Sequence, residues 1–162
     1  MISDRFLFDP ISTNDADEIV RIYNSNPVFL QNHLGMAEVS AEFVLQELQE
    51  MGKIGFSSTK IIDNSTGETI GICDFKFEET VYLSLLMLDG ALQGKGLGSA
   101  IYKAFEHKAA SDNAKRIRID VVDSYSGNAV GFWKNQGFET QGTTQLDWHG
   151  KQSDAQIMRK AL

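Results

Sequence analysis

The sequence predicts an α/β domain of the α+β kind: a central, mostly antiparallel mixed sheet of about seven strands flanked by about four helices. Three observations predict it. From Gly55 to Leu88 the apolar period is two, in three runs separated by short polar turns, which is an antiparallel meander. From Leu83 to Val122 an apolar run, a glycine-rich turn, helical spacing and renewed alternation follow one another, which implies a right-handed parallel crossover. The 162 residues fit one domain, residues 1–162, able to bury on the order of 70% of the unfolded chain's surface.

Arg5 to Ile11 alternates weakly, with Phe6 and Phe8 on one side, and reads as a first strand ended by Pro10 and Ser12-Thr13-Asn14. Asn14 with Asp17 resembles a capping box for a first helix whose apolar face is Ala16, Ile19, Val20 and Tyr23. Asn24 to Pro27 breaks that helix, Val28 to Val39 reads as irregular, and Ser40 caps a second helix stopped by Gly52. Ser57 to Ile62, Ile70 to Phe77 and Val81 to Leu88 are the meander strands, turned at Asn64 to Gly67 and at Glu78 to Thr80. Leu97, Ile101, Ala104, Phe105 and the stem of Lys108 space a central helix. Arg116 to Val122 alternates, Asn128 to Gln136 is a short helix closed by Gly137 and Phe138, and Phe138 to Leu146 and Ala155 to Leu162 are last strands separated by Asp147 to Asp154.

The chain is organised around Leu83 to Lys108. Gly94, Gly96 and Gly98 stand where a strand turns sharply into a helix, and the first helical amides there lack intrahelical partners, so several N–H groups can converge on a phosphate. A phosphate-loop NTPase needs Gly-Lys followed by Ser or Thr, whereas Lys95 is followed by Gly96. A Rossmann loop needs G-x-G-x-x-G, whereas the spacing here is G-x-G-x-G after an antiparallel meander. The stretch resembles motif A of the GNAT superfamily of N-acetyltransferases, Gln or Arg-x-x-Gly-x-Gly or Ala, matched by Gln93, Gly96 and Gly98. Asn128 to Phe138 is similar to motif B of the same family: Asn, a short helix, an aromatic, then Gly-Phe. The resemblance covers Ile61 to Leu162 through its motifs, and Arg5 to Gly52 through element order alone.

The resemblance implies acetyl-coenzyme A as cosubstrate. It implies that the loop of Gln93, Gly94, Lys95, Gly96, Leu97, Gly98 and Ser99 holds the pyrophosphate. Asn128 would contact the pantetheine arm, Phe132 and Trp133 would flank it, and freed backbone groups near Met87 and Leu88 would pair with it. The reaction implied is direct attack by a primary amine, of a small molecule or an exposed amino group, with no acyl-enzyme. An alkylamine of pKa about 10.4 is neutral roughly once in a thousand at neutral pH, so deprotonation must be assisted. Two residues depart from the family. Tyr82 stands where many members carry a glutamate, and Trp133 where many carry an acidic tyrosine; an indole cannot donate that proton. Tyr82 and Tyr125 are the candidate catalytic substitutes, and Asp74, Glu78, Asp120, Asp123 and His33 candidate water-relay or amine-binding groups. Those departures motivate an alternative, a catalytically weak coenzyme-A-binding regulatory or interaction module, which release of free thiol distinguishes from an enzyme.

Composition narrows the partners. With 22 acidic against 15 basic residues the formal charge is −7, which disfavours a nucleic-acid surface and suits a cationic amine. One cysteine forms no internal disulfide, Cys73 reads as packing, and three scattered histidines give no metal spacing, so no metal is expected. No apolar run approaches the roughly 18 residues of a membrane span, and Met1 to Arg5 starts no secretory signal, so a cytoplasmic monomer or homodimer without membrane partners is expected.

Overall fold

The computed structural model describes residues 4–162, so Met1 to Ser3 of the stretch read for a signal lie outside the described residues. Its sheet has seven strands: β1 (Phe6–Pro10), β2 (Ser57–Asp63), β3 (Glu68–Lys76), β4 (Thr80–Leu88), β5 (Arg116–Val122), β6 (Glu139–Trp148) and β7 (Lys151–Ala161). Their order is β1-β2-β3-β4-β5-β7-β6, and β4 with β5 is the parallel pair. The helices are α1 (Ala16–Asn24), α2 (Pro27–His33), α3 (Ala41–Lys53), α4 (Leu97–Ser111) and α5 (Val130–Asn135). No helix among the described residues is long and apolar enough to cross a membrane.

Several sequence expectations shift. Pro27 does not end in an irregular loop but occupies the first turn of α2, where its fixed φ and missing N–H cost nothing. The capping box is Ser12 with Asp15, whose Oδ2 accepts from the Ser12 N–H at 2.8 Å, rather than Asn14 with Asp17. Ser40 does cap α3, accepting from Phe43 N at 3.2 Å, but the helix runs past Gly52 and stops at Gly55, which supplies φ +89°. The last two strands are longer than read and meet at a two-residue turn, His149 (φ 51°) and Gly150 (φ 84°), so Asp147 to Asp154 is mostly strand. Their inward face there carries the small, polar Ser153, which hides the alternation.

Two apolar layers sandwich the sheet. On one side α4 buries Ile101, Tyr102, Phe105 and Ala109 against Phe75, Val81, Ile117 and Ile119. Lys108, whose stem the spacing places on the apolar face, is instead at the surface in an ion pair with Asp112 at 3.0 Å. On the other side α1, α2 and α3 contribute Ile19, Ile22, Leu30 and Val44 to a cluster over Ile72 and Met87.

Between the layers the sheet parts. β4 and β5 pair only from Thr80↔Arg116 to Tyr82↔Arg118; beyond that β4 stays on β3 as far as Leu88, and β5 stays on β7 as far as Val122. The parting coincides with an irregularity in which Phe75 pairs with Leu83 and Asp74 with Leu85, leaving Ser84 as the extra residue. Such a bulge bends its strand and increases local twist. At the far end β3 and β4 approach so closely that a Cβ on Gly71 would lie 2.5 Å from the Met87 carbonyl oxygen. Gly71→Ala should therefore lose about 1–3 kcal/mol through forced backbone displacement, read as a lower urea midpoint at unchanged m-value. An unaltered midpoint would remove this contact from the account of the fold.

Candidate active site

The parted strands lead into the glycine loop. Gly94 and Gly96 both have φ +77°, a conformation that costs a β-carbon-bearing residue strain, and open space lies where their Cβ atoms would be. Gly96 is the N-cap of α4, whose first intrahelical bond is Ala100 N to Gly96 O at 3.4 Å; the first-turn amides of Leu97, Gly98 and Ser99 thus point to an open cradle. Gly98 serves differently: a Cβ there would lie 3.5 Å from the Phe132 ring, so α5 rests directly on the first turn of α4. The Ser99 hydroxyl accepts from Gln136 Nε2 at 2.8 Å and ties the same two helices. Lys95 is exposed on the loop.

The loop is fixed from below by residues that carry no motif. Asn26, nine-tenths buried, donates from Nδ2 to Ile22 O and to Leu88 O, both at 3.0 Å, and accepts from Gln93 Nε2. It joins the end of α1, the end of β4 and the glycine loop in one side chain. Asp89 adds a second tie, accepting from Ala91 N at 3.0 Å and pairing with Arg21. Burial pushes the Asp89 carboxyl up, but the Ala91 N–H and the Arg21 guanidinium outweigh it and hold it below its ordinary value.

Backbone groups facing the gap follow from the β3–β4 ladder. Asp89 N donates to Ile70 O at 2.8 Å, and the Met87 carbonyl points at Gly71, so Asp89 and Met87 turn their backbones to β3. Alternation then gives Leu86 and Leu88 to the gap, and Asn26 already occupies the Leu88 carbonyl. The groups left to the gap are then those of Leu86 and the Leu88 N–H, rather than those of Met87, whose side chain is also buried against α1–α3.

A cavity of about 170 Å3 fills the parting, with Leu83 to Leu86 on one wall and Ile119 to Val122, Tyr125 and Trp133 on the other. Trp133 is buried, packed edge-on to Tyr102 and Phe138 at 5.3 Å and to Phe132 at 4.9 Å. Asn128 holds the loop before α5: its Oδ1 accepts from Val130 N at 3.0 Å and its Nδ2 donates to Tyr125 O at 2.9 Å. That loop brings the Tyr125 hydroxyl to 3.0 Å from His33 Nε2, while the His33 ring stacks on Phe29 at 3.9 Å. Burial, with the Lys151 cation adding, pulls His33 down to about 4, so it is neutral at pH 7; burial pushes Tyr125 up, so its phenol stays protonated.

Tyr82 sits where β4 and β5 part. Its hydroxyl donates to Asp120 Oδ2 at 3.0 Å, and Arg118 clamps both oxygens of that carboxylate at 3.0 Å. Burial, then the Asp120 charge, raises Tyr82 above its ordinary value, so it is a fixed donor and not a proton source near neutrality. A second cavity, of about 200 Å3, lies on the α1–α3 side and shares Phe29, His33, Ser84, Leu85 and Leu146 with the first. Asp74, Glu47, Tyr23 and Trp148 line it as well. Glu78 instead pairs with Lys76 at 3.6 Å and Asp123 accepts from Gln156 at 3.0 Å, and neither lines either cavity. Cys73 is fully buried among core residues, its thiol pushed up by burial.

A glycine-built cradle of free helix amides beside a parted sheet is the arrangement that the resemblance to the acetyltransferase motifs implies. The sequence profile of the acetyltransferase (GNAT) domain matches residues 31–159, and the chain belongs to the GNAT acetyltransferase family. It is 24% identical over 111 residues to the uncharacterized protein YdhI of Bacillus subtilis, across 68% of this chain and 64% of that protein. The chain thus spans less than two thirds of that relative's length. An acetyltransferase of Thermus thermophilus superposes with a TM-score of 0.75 at 24% identity, covering 100% of both chains. A phosphinothricin acetyltransferase of Sinorhizobium meliloti, in complex with acetyl-coenzyme A, gives 0.68 at 17%, covering 98% of this chain and 89% of the other. At these identities the superpositions establish the fold.

Sequence reasoning missed Asn26, read only as part of a helix break, and Glu47 and Trp148, which tertiary contacts bring together at 3.2 Å. The polar type of Asn26, directly before a proline at a helix junction, was the one available signal. Asn26→Ala should remove the 3.0 Å donor to the Leu88 carbonyl and the acceptor of Gln93 Nε2, leaving those two groups only their long mutual contact of 3.4 Å. It is expected to cost about 1–3 kcal/mol and to weaken cofactor binding further than stability alone explains, measured by calorimetry on the folded variant. Unaltered coenzyme affinity in Asn26→Ala would mean that the loop is organised without it.

Proposed function

We propose that this chain is an acetyl-coenzyme-A-dependent N-acetyltransferase that acts by direct attack of a primary amine. The observation that carries this reading is a pair of cavities that share Ser84 and Leu85 in their lining, one in the gap between β4 and β5 and the other on the α1–α3 side. The residues present fit the coenzyme: unpaired amides of Leu97 to Ser99 suit its pyrophosphate, and the gap-facing backbone at Leu86 suits its pantetheine amides. When bound, it supplies an acetyl thioester.

The chain's own groups do the rest. The Leu86 N–H is a preorganised donor for the oxygen on which charge develops. The parted strands exclude water from one face of that group, because Leu83, Trp133 and Ile119 line the gap. Tyr125 holds a proton at Oη beside the gap, 3.0 Å from His33 Nε2; in the tautomer in which Nε2–H donates to it, the phenol O–H is free to turn inward and protonate the leaving sulfur. Cys73 lines neither cavity, which favours transfer without an acyl-enzyme.

Acetyl-coenzyme A is expected to raise the melting temperature, by about 2.7 kcal/mol of added stability at a hundredfold excess over Kd. Gly96→Glu should abolish that shift and Gly96→Ala should retain most of it, because both strain the left-handed backbone while only the carboxylate repels phosphate. Equal shifts in the two variants would sink the cofactor assignment. For Tyr125→Phe the expectation is a fall in kcat of about 10²- to 10⁴-fold with the coenzyme-induced shift intact. Thiol release at wild-type rate in that variant would show that another group protonates the sulfur.

A further inference from the structure

The cavity on the α1–α3 side contains a feature that packing does not explain. Asp74 is 8% exposed, and its Oδ1 has no hydrogen-bond partner. A buried carboxylate oxygen without a donor is costly and is rare in a folded chain. Asp74 sits opposite Leu85 on β4, one position from the bulge, and Ser84 Oγ donates to the Asp74 carbonyl at 3.3 Å. The carboxylate therefore hangs beside residues that the two cavities share in their lining. Glu47, across the same cavity, is held by Trp148 Nε1 at 3.2 Å and by His149. Apart from His33, the remaining walls are aromatic or aliphatic: Tyr23, Phe29, Tyr82, Met51 and Leu146.

Resting on the N-acetyltransferase reading, we infer that this cavity binds a compact primary monoamine with an apolar or aromatic body, whose ammonium is held by Asp74 and then gives its proton to Asp74 Oδ1. Three features select that class. The volume of about 200 Å3 is below the usual range of ligand pockets and fits a small body rather than a folded peptide end. Ring faces favour a cation and its apolar substituent together. One unpartnered oxygen asks for a single donor. In the proton step an N–H bond breaks and the Oδ1–H bond forms, the electron pair staying on nitrogen, so the chain generates its own nucleophile without an added co-reactant. The family's strand-four glutamate, absent at Tyr82, is thereby replaced from the neighbouring strand.

The groups facing Asp74 are Glu47 from α3, Tyr23 from α1, His33 from α2, Ser58 from β2, and Tyr82 and Ser84 from β4. Burial holds Tyr23 and Tyr82 protonated and keeps His33 neutral near pH 7. Burial also pushes the Asp74 carboxyl up to about 7, with the Ser58 hydroxyl opposing and the Glu47 charge adding. The folded pKa exceeds the unfolded one, so stability from this group is full below about pH 4 and is lost as pH rises to about 7.

The test uses the full chain saturated with coenzyme A and 2-phenylethylamine as probe, by calorimetry. An alkylammonium stays charged from pH 6 to 8, so affinity should rise about tenfold over that interval as Asp74 ionises. Asp74→Asn should weaken binding at pH 8 at least tenfold and flatten the profile, and its melting temperature relative to wild type should be higher at pH 8 than at pH 5. His149→Gln, beside Glu47, should keep the pH step. Tighter binding of spermidine or of an alanyl peptide, a pH step lost in His149→Gln, or unaltered probe binding in Asp74→Asn would each overturn the inference. The acetyl-coenzyme A thermal shift separates the two levels: if it persists while the amine results fail, only the acceptor assignment falls, and if it is absent the N-acetyltransferase reading falls too.

Discussion

Everything in the site depends on β4 and β5 separating after three residue pairs. A parallel pair that simply continued would bury its amides in the sheet and leave no entry for a ligand. Separation is sustained because each strand keeps its other neighbour: β3 holds β4 to Leu88, and β7 holds β5 to Val122. Only the inward edges are left without a ladder. An unpaired buried backbone group costs about 1–3 kcal/mol, so the wedge persists because its closed end is over-determined. Val81 and Ile117 are fully buried there, and the Tyr82, Asp120 and Arg118 network links the two strands at the point of parting.

The open end is controlled by polar side chains. Asn26 takes the Leu88 carbonyl, which would otherwise face the gap, and passes its order to Gln93. Gly90 packs where a Cβ would lie 2.1 Å from the Ser25 carbonyl oxygen, so the loop leaves β4 in direct backbone contact with the end of α1. The glycine loop is thus anchored to the same helical layer, α1 to α3, that lines the cavity of about 200 Å3.

The fold was legible wherever side-chain period matched burial. The meander, the α4 crossover and the glycine loop are all strong patterns, and the loop's chemistry follows from amides and φ rather than from any distant contact. Legibility failed where a residue's role came from tertiary packing. Pro27 carries equal local weight as a stop and as a first helical residue, and only the burial of Leu30 decides for a helix. Trp148 looked like a turn residue because β6 and β7 are amphipathic through small groups, yet it ends a long strand that reaches α3. Asp74 stands among several candidate amine-binding groups by residue type alone, and nothing in its sequence neighbours singles it out or announces an unpartnered oxygen.

That oxygen also bears on how the site was built. Burial raises Asp74 toward neutrality, so above pH 7 the folded chain carries a carboxylate that it would be more stable without. An isosteric amide or an apolar residue would remove the penalty, and cores usually contain such residues. On the acceptor assignment proposed above the group has a use where it stands: a charge one residue pair from the bulge, inside aromatic walls, on the face opposite α4. The same burial that makes Asp74 costly makes it basic enough to take a proton from an ammonium near neutrality, which an exposed aspartate of pKa about 3.9 does far less readily. Stability lost at β3 and reactivity gained beside β4 therefore have one physical cause, the exclusion of water from a single carboxylate.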